Sequence, residues 1–209
     1  MDNHSLRLFA NFISYVLHPL LMPTWLLLIL VTLYPAAIQP VQAWGFIILL
    51  IFFGMTFILP VLNLLFFKIT GTISSFSLLT RQDRILPSIL ITMLYGALSF
   101  MFYWKVISIP VFFKLMLVIT ALSLIVAIGT FFLKISAHAV GMCGLAGILL
   151  SMASASSSST LIFPALVVLV LAGLTMSSRL LLNVHSLNEV TWGGSLGFVI
   201  GFGGIAFLF

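Results

Sequence analysis

Apolar residues in this chain come in seven long runs, and no other feature of the sequence constrains the fold as tightly. The runs cover about residues 9–34, 43–67, 85–104, 111–133, 139–152, 161–176 and 190–209. Most are close to the ~20 residues that carry a helix through the ~30 Å hydrocarbon core of a bilayer. Within hydrocarbon, every backbone N–H and C=O must be bonded inside the protein, so a spanning segment is a helix or part of a closed barrel. No run alternates polar and apolar residues as barrel strands do. The expectation is an all-α, polytopic transmembrane helical bundle of about six to seven spanning helices, in a single integral membrane domain over residues 1–209. Five spans with two re-entrant pieces also fit, because the run at 139–152 is short and rich in Gly and Ala. A water-soluble fold is excluded: 5% of residues are charged, against ~25% in a soluble domain.

The few charges are therefore informative. The only acids are Asp2, Asp83 and Glu189, against eight Lys and Arg. Charge in lipid is costly and is usually kept for function. The basic residues are scattered between apolar runs, which argues against a nucleic-acid partner and for anionic headgroups or a phosphorylated ligand. Cys143 is the sole cysteine and allows no intrachain disulfide. Residues 1–7 lack the features of a signal peptide, so the first run is expected to stay in the mature protein. Gly193, Gly197 and Gly201 recur every four residues, and Gly141, Gly144 and Gly147 every three. Both sets read as faces for close helix packing.

If all seven runs span, the connections at 68–84, 134–138 and 177–189 lie on one side of the membrane. They hold Arg81, Asp83, Arg84, Lys134, Ser136, His138, Arg179, His185 and Glu189. The opposite side has Lys105, Lys114 and the serine-rich link at 154–159. This points to one shared polar site. A raw Lys and Arg count puts that side in the cytoplasm. Of the six residues in the count, Arg7, Lys68, Arg81, Arg84, Lys134 and Arg179, the last four are themselves candidate ligands, so the side stays open.

The residue types suggest phosphoryl chemistry. His185 and Glu189 are four apart, which on a helix is one face. A carboxylate on one ring nitrogen fixes the tautomer and leaves the other to act as nucleophile or base. A structural His–Glu pair at a helix start is the plain alternative. Arg179 precedes His185 by six residues, about 240° around a continuous helix. The two can face one ligand only if the chain turns between them, and Asn183 is the expected place. His138 opens a run, where helix N–H groups attract anions and a histidine can protonate a departing oxygen. Arg81 and Arg84 can grip phosphate oxygens bidentately, with Asp83 orienting one of them. Interfacial anchoring accounts for these two equally well. Two histidines, one carboxylate, three arginines and a lysine make an inventory for phosphoryl transfer without metal or cofactor. Zinc would be repelled by the arginines. His4 and His18 look idle.

This pattern resembles the type 2 phosphatidic acid phosphatase superfamily. Its motif SRxxxxxHxxxD is matched in spacing by Ser178-Arg179, His185 and Glu189, with Glu for Asp. Its PSGH motif is kept only as Ser136 and His138. Its KxxxxxxRP motif is matched loosely by Arg84 and Pro87, with Ser77 where the lysine would stand and Arg81 or Lys134 as candidate substitutes. The resemblance covers about residues 75–209. It implies a phosphatase core in which His185 becomes a phosphohistidine, Glu189 orients it and His138 is the general acid. Arg84, Ser136, Ala137 (through its N–H) and Arg179 would hold the phosphate, with Arg81 or Lys134 in the lysine's place. The substrate would be a phosphorylated lipid of phosphatidate, phosphatidylglycerophosphate or polyprenyl-diphosphate type, and the location a bacterial inner membrane. Two rivals are a catalytically silent binder or transporter of such a lipid, and a small structural membrane protein. The sequence leaves the oligomeric state open.

Overall fold

A computed structural model describes residues 3–75, 81–104, 110–132, 134–155 and 159–209. The protein is all-α, and seven of its helical segments are long and apolar enough to cross a membrane. It is thus a multi-pass integral membrane protein. Its contacts divide into two compact units. Unit 1 comprises residues 1–22 and 134–209, and unit 2 residues 23–133.

Unit 2 contains α2 (Met22–Leu33), from its second residue on, and then α3 (Gly45–Phe53), α4 (Leu59–Ile69), α5 (Arg81–Tyr103) and α6 (Pro110–Phe132). A π-helical segment, Gly54–Ile58, joins α3 to α4, so the pair makes one membrane-length element. Proline causes this local change. Pro60 has no N–H to give the carbonyl four residues back, that of Thr56. The phenol of Tyr95 on α5 donates to that carbonyl instead, at 2.8 Å, and Tyr95 is 4% exposed. A backbone acceptor in hydrocarbon is thereby satisfied. Phe52 stacks on Phe102 and lies tilted against Phe112, with ring centroids 5.5 Å apart in each pair, tying α3 to the α5–α6 pair.

Unit 1 joins α1 (Asn3–Val16) to α7 (Ala137–Ala155), α8 (Ile162–Leu181) and α9 (Leu187–Leu208). The first apolar run is not one continuous helix. His18 precedes Pro19, which disfavours helical backbone at His18, and His18 is extended at φ −67°, ψ 137°. A short 3₁₀ turn, Pro19–Leu21, follows. The run at 139–152, which sequence suggested was short, is a 19-residue helix with 72% of its apolar window buried, against 28–39% in the other six segments. Small residues explain this. Cβ atoms placed at Gly197 and Gly201 would collide with the carbonyl oxygens of Val140 and Gly144, and one at Gly147 would fall 2.6 Å from the Phe198 carbonyl. Matching positions rise together along both helices, so α7 and α9 run parallel with their backbones in contact.

Candidate functional site

Parallel packing puts the N-termini of α7 and α9 side by side. Each helix start presents unbonded N–H groups and the positive end of a dipole. The chain entering α7 is fixed to α9. Ser136 N–H donates to the Glu189 carbonyl at 3.3 Å, and a Cβ on Gly193 would lie 3.0 Å from the Ser136 carbonyl. Ser136 is fully buried, and its hydroxyl caps α7 by accepting from Ala139 N–H at 3.4 Å. Ala137 is the first residue of α7, so its N–H is one of the terminal donors that helical bonding leaves over.

The neighbouring α8 brings its C-terminal turn, with Arg179, to the same end. Cys143 Sγ lies 3.9 Å from Met176 Sδ, one turn before Arg179. After Arg179 the chain turns where sequence expected. Asn183 adopts φ +55°. Its N–H donates to the Leu180 carbonyl at 2.9 Å, and Val184 N–H donates to the Arg179 carbonyl at 3.3 Å. These two bonds define a Schellman C-cap. The turn removes the ~240° separation that a continuous helix would impose.

His185 and Glu189 are paired, though not along a helix face as their spacing suggested. His185 precedes the cap residue Ser186. Its Nδ1 lies 2.7 Å from Glu189 Oε2, and its side chain is 6% exposed. The same carboxylate oxygen accepts from Ser186 N–H at 3.3 Å, and the Ser186 hydroxyl accepts from Glu189 N–H at 3.4 Å. Glu189 therefore serves both a capping box and the imidazole. A carboxylate can only accept, so Nδ1 carries the proton and Nε2 is the ring's other reactive position.

His138 lies one residue into α7. Its Nε2 is 3.1 Å from the Ser14 carbonyl of α1. His18, idle on sequence grounds, sits against it: the ring centroids are 5.3 Å apart at 81°. Unit 1 thus gathers Ser136, Ala137, His138, Arg179, His185 and Glu189, with His18 added. Lys134, two residues before Ser136, is exposed. Among the described residues, no three His, Cys, Asp or Glu side chains are grouped as a metal ion would need.

The other candidates belong to unit 2. Arg81 and Arg84 lie in the first turn of α5, inside the helix and not in the connection before it. The Arg81 side chain, like Ser77 and Lys105, lies outside the described residues. Asp83, 9% exposed, accepts from Ser74 N–H at 3.1 Å and from the Ser74 hydroxyl at 2.5 Å. The Lys68 ammonium donates to the Ser74 carbonyl. Asp83 thus ties the chain after α4 to the start of α5.

Comparison with protein-family models, with curated proteins and with solved structures finds no match to the chain.

Proposed function

We propose that this protein is a membrane-embedded phosphatase of the type 2 phosphatidic acid phosphatase kind, hydrolysing a lipid phosphate or diphosphate through a phosphohistidine. The observation that carries this reading is the convergence at one end of unit 1. Two helix N-termini, the Arg179 guanidinium, a carboxylate-paired His185 and a second histidine meet there. That end suits a tetrahedral anion, and the apolar flanks suit its lipid tail. In the proposed cycle, Nε2 of His185 attacks phosphorus while the bond to the leaving oxygen breaks. His138 gives that oxygen a proton. Glu189 stabilises the charge that develops on the His185 ring. Water then attacks the phosphohistidine, yielding its proton to His138, and phosphate leaves with both histidines restored. The roles of Arg81 and Arg84 in this scheme rest on the motif resemblance alone. A bacterial inner membrane is the location it implies.

One observation favours the silent binder or transporter. Glu189 Oε2 is shared between His185 and the Ser186 N–H, so the carboxylate is also committed to starting α9. The deciding assay is phosphate release by purified protein in detergent from phosphatidate, phosphatidylglycerophosphate and polyprenyl diphosphate. The wild type is expected to hydrolyse at least one, and His185→Ala none. Release that survives in His185→Ala would falsify the nucleophile assignment. Tight binding with no release by the wild type would establish the silent reading.

A further inference from the structure

His18 lies 120 residues from His138 in sequence and outside all three motif-like segments. It nonetheless forms part of the same cluster. Its conformation has a local cause. Pro19 forces the extended backbone, and in that state the His18 ring caps the following turn, with Nδ1 accepting from Leu20 N–H at 3.3 Å. An atom that accepts an N–H carries no proton, so the neutral His18 ring is protonated at Nε2. The cap fixes where the ring sits. The stretch it begins is packed on α7, since a Cβ at Gly141 would lie 3.2 Å from Met22 Cγ and 3.4 Å from Pro19 Cβ. His18 is thereby held edge-on against His138.

The other side of the His138 ring is fixed by α1. A carbonyl oxygen can only accept, so the 3.1 Å contact with the Ser14 carbonyl makes His138 Nε2 the donor. The remaining nitrogen, Nδ1, carries the lone pair when the ring is neutral. Resting on the phosphatase reading, we infer that His18 is a positioning residue. Together with the Ser14 carbonyl it holds the His138 ring so that Nδ1 is the nitrogen that gives and takes the proton. The two histidines of the reaction then work through opposite ring atoms, Nε2 in His185 and Nδ1 in His138.

Two variants separate positioning from simple capping. His18→Asn keeps an oxygen that can accept the Leu20 N–H, as asparagine does at helix starts, but removes the ring from His138. His18→Phe keeps a ring against His138 and removes the acceptor. The expected result is a fall in kcat of roughly 100-fold for His18→Asn, the size that a ~1 Å misplacement costs, with KM little changed and most of the loss restored in His18→Phe. The reverse order, a deficit in His18→Phe only, would show a structural cap and overturn the positioning role.

A second measurement does not depend on turnover. In protein labelled with 15N-histidine and studied in bilayers by solid-state NMR, the His138 signals are assigned by their loss in His138→Gln. The wild type is expected to show a protonated Nε2 and a bare Nδ1, and His18→Asn a mixture of both tautomers. A wild-type ring protonated at Nδ1, or an unchanged His138 spectrum in His18→Asn, overturns the inference. If no phosphate is released by the wild type, the phosphatase reading fails while the spectrum still decides the geometry around His138.

Discussion

At the scale of single residues, Glu189 carries two loads that substitution can separate. It accepts the His185 ring proton and closes a capping box with Ser186. Glutamine also completes capping boxes, so Glu189→Gln is expected to fold normally while losing the charge that steadies a positive imidazole. Its turnover should fall between roughly 100- and 10,000-fold, with little change in thermal stability in detergent. Ser186→Ala should do the opposite, losing about 1 kcal/mol of stability and keeping most of the activity. Equal losses of activity in the two variants would mean that the carboxylate only shapes the helix start. Much of this was legible. The Ser-x-x-Glu spacing at 186–189 is a capping signature, and the turn at Asn183 was expected from the need to bring Arg179 and His185 together. The part played by His18 was not. His-Pro inside an apolar run announces a break in a helix, but nothing local says that the ring at the break meets another ring 120 residues on.

At the scale of elements, the α7–α9 contact is the strongest determinant of the site, because it sets two helix starts side by side. The glycine spacing in each run pointed to packing. It did not say that the two runs pack on each other in parallel, which is possible because α8 returns the chain between them. Gly201→Ala puts a methyl group into the Gly144 carbonyl, with Gly144 Cα only 3.0 Å away. Both groups are backbone and cannot swing aside. Overpacking of this kind costs about 1–3 kcal/mol, and here it should lower activity as well by parting the helix starts. Gly203, in the same helix, has nothing within 4 Å of an added Cβ, so Gly203→Ala should be silent. Thermal unfolding and phosphate release measured on both variants check this, and equal effects would remove the contact from the explanation. The turn offers a second test. Asn183→Gly should be tolerated at φ +55°. Asn183→Val should lose roughly 1–2 kcal/mol, because a β-branched residue resists that backbone conformation.

At the scale of the whole molecule, the run lengths made the all-α, multi-pass fold readable, since bilayer thickness dictates segment length. The division into two units was not readable, because a run records its own hydrophobicity and not its neighbours. If all seven helical segments cross, the connections near residues 75, 134 and 188 fall on one side. Ser75→Cys, Lys134→Cys and Asn188→Cys, each made in a Cys143→Ala background, should therefore react with an impermeant thiol reagent from the same side in sealed vesicles. Labelling from opposite sides would refute the expectation, drawn from the sequence, that these connections share one polar site. Unit 1 is also discontinuous: its first 22 residues are parted from the remainder by all of unit 2. Ser14 precedes its partner His138 by 124 residues. At synthesis rates of about 5–20 residues per second, that interval is roughly 6 to 25 seconds. Throughout it, α1, with its buried Ala10, Ile13 and Ser14, has neither α7 nor α8 to pack against and must rest on lipid or on the insertion machinery. Since α1 is made well before α7, α8 and α9, the candidate site can form only after those three helices have been synthesised.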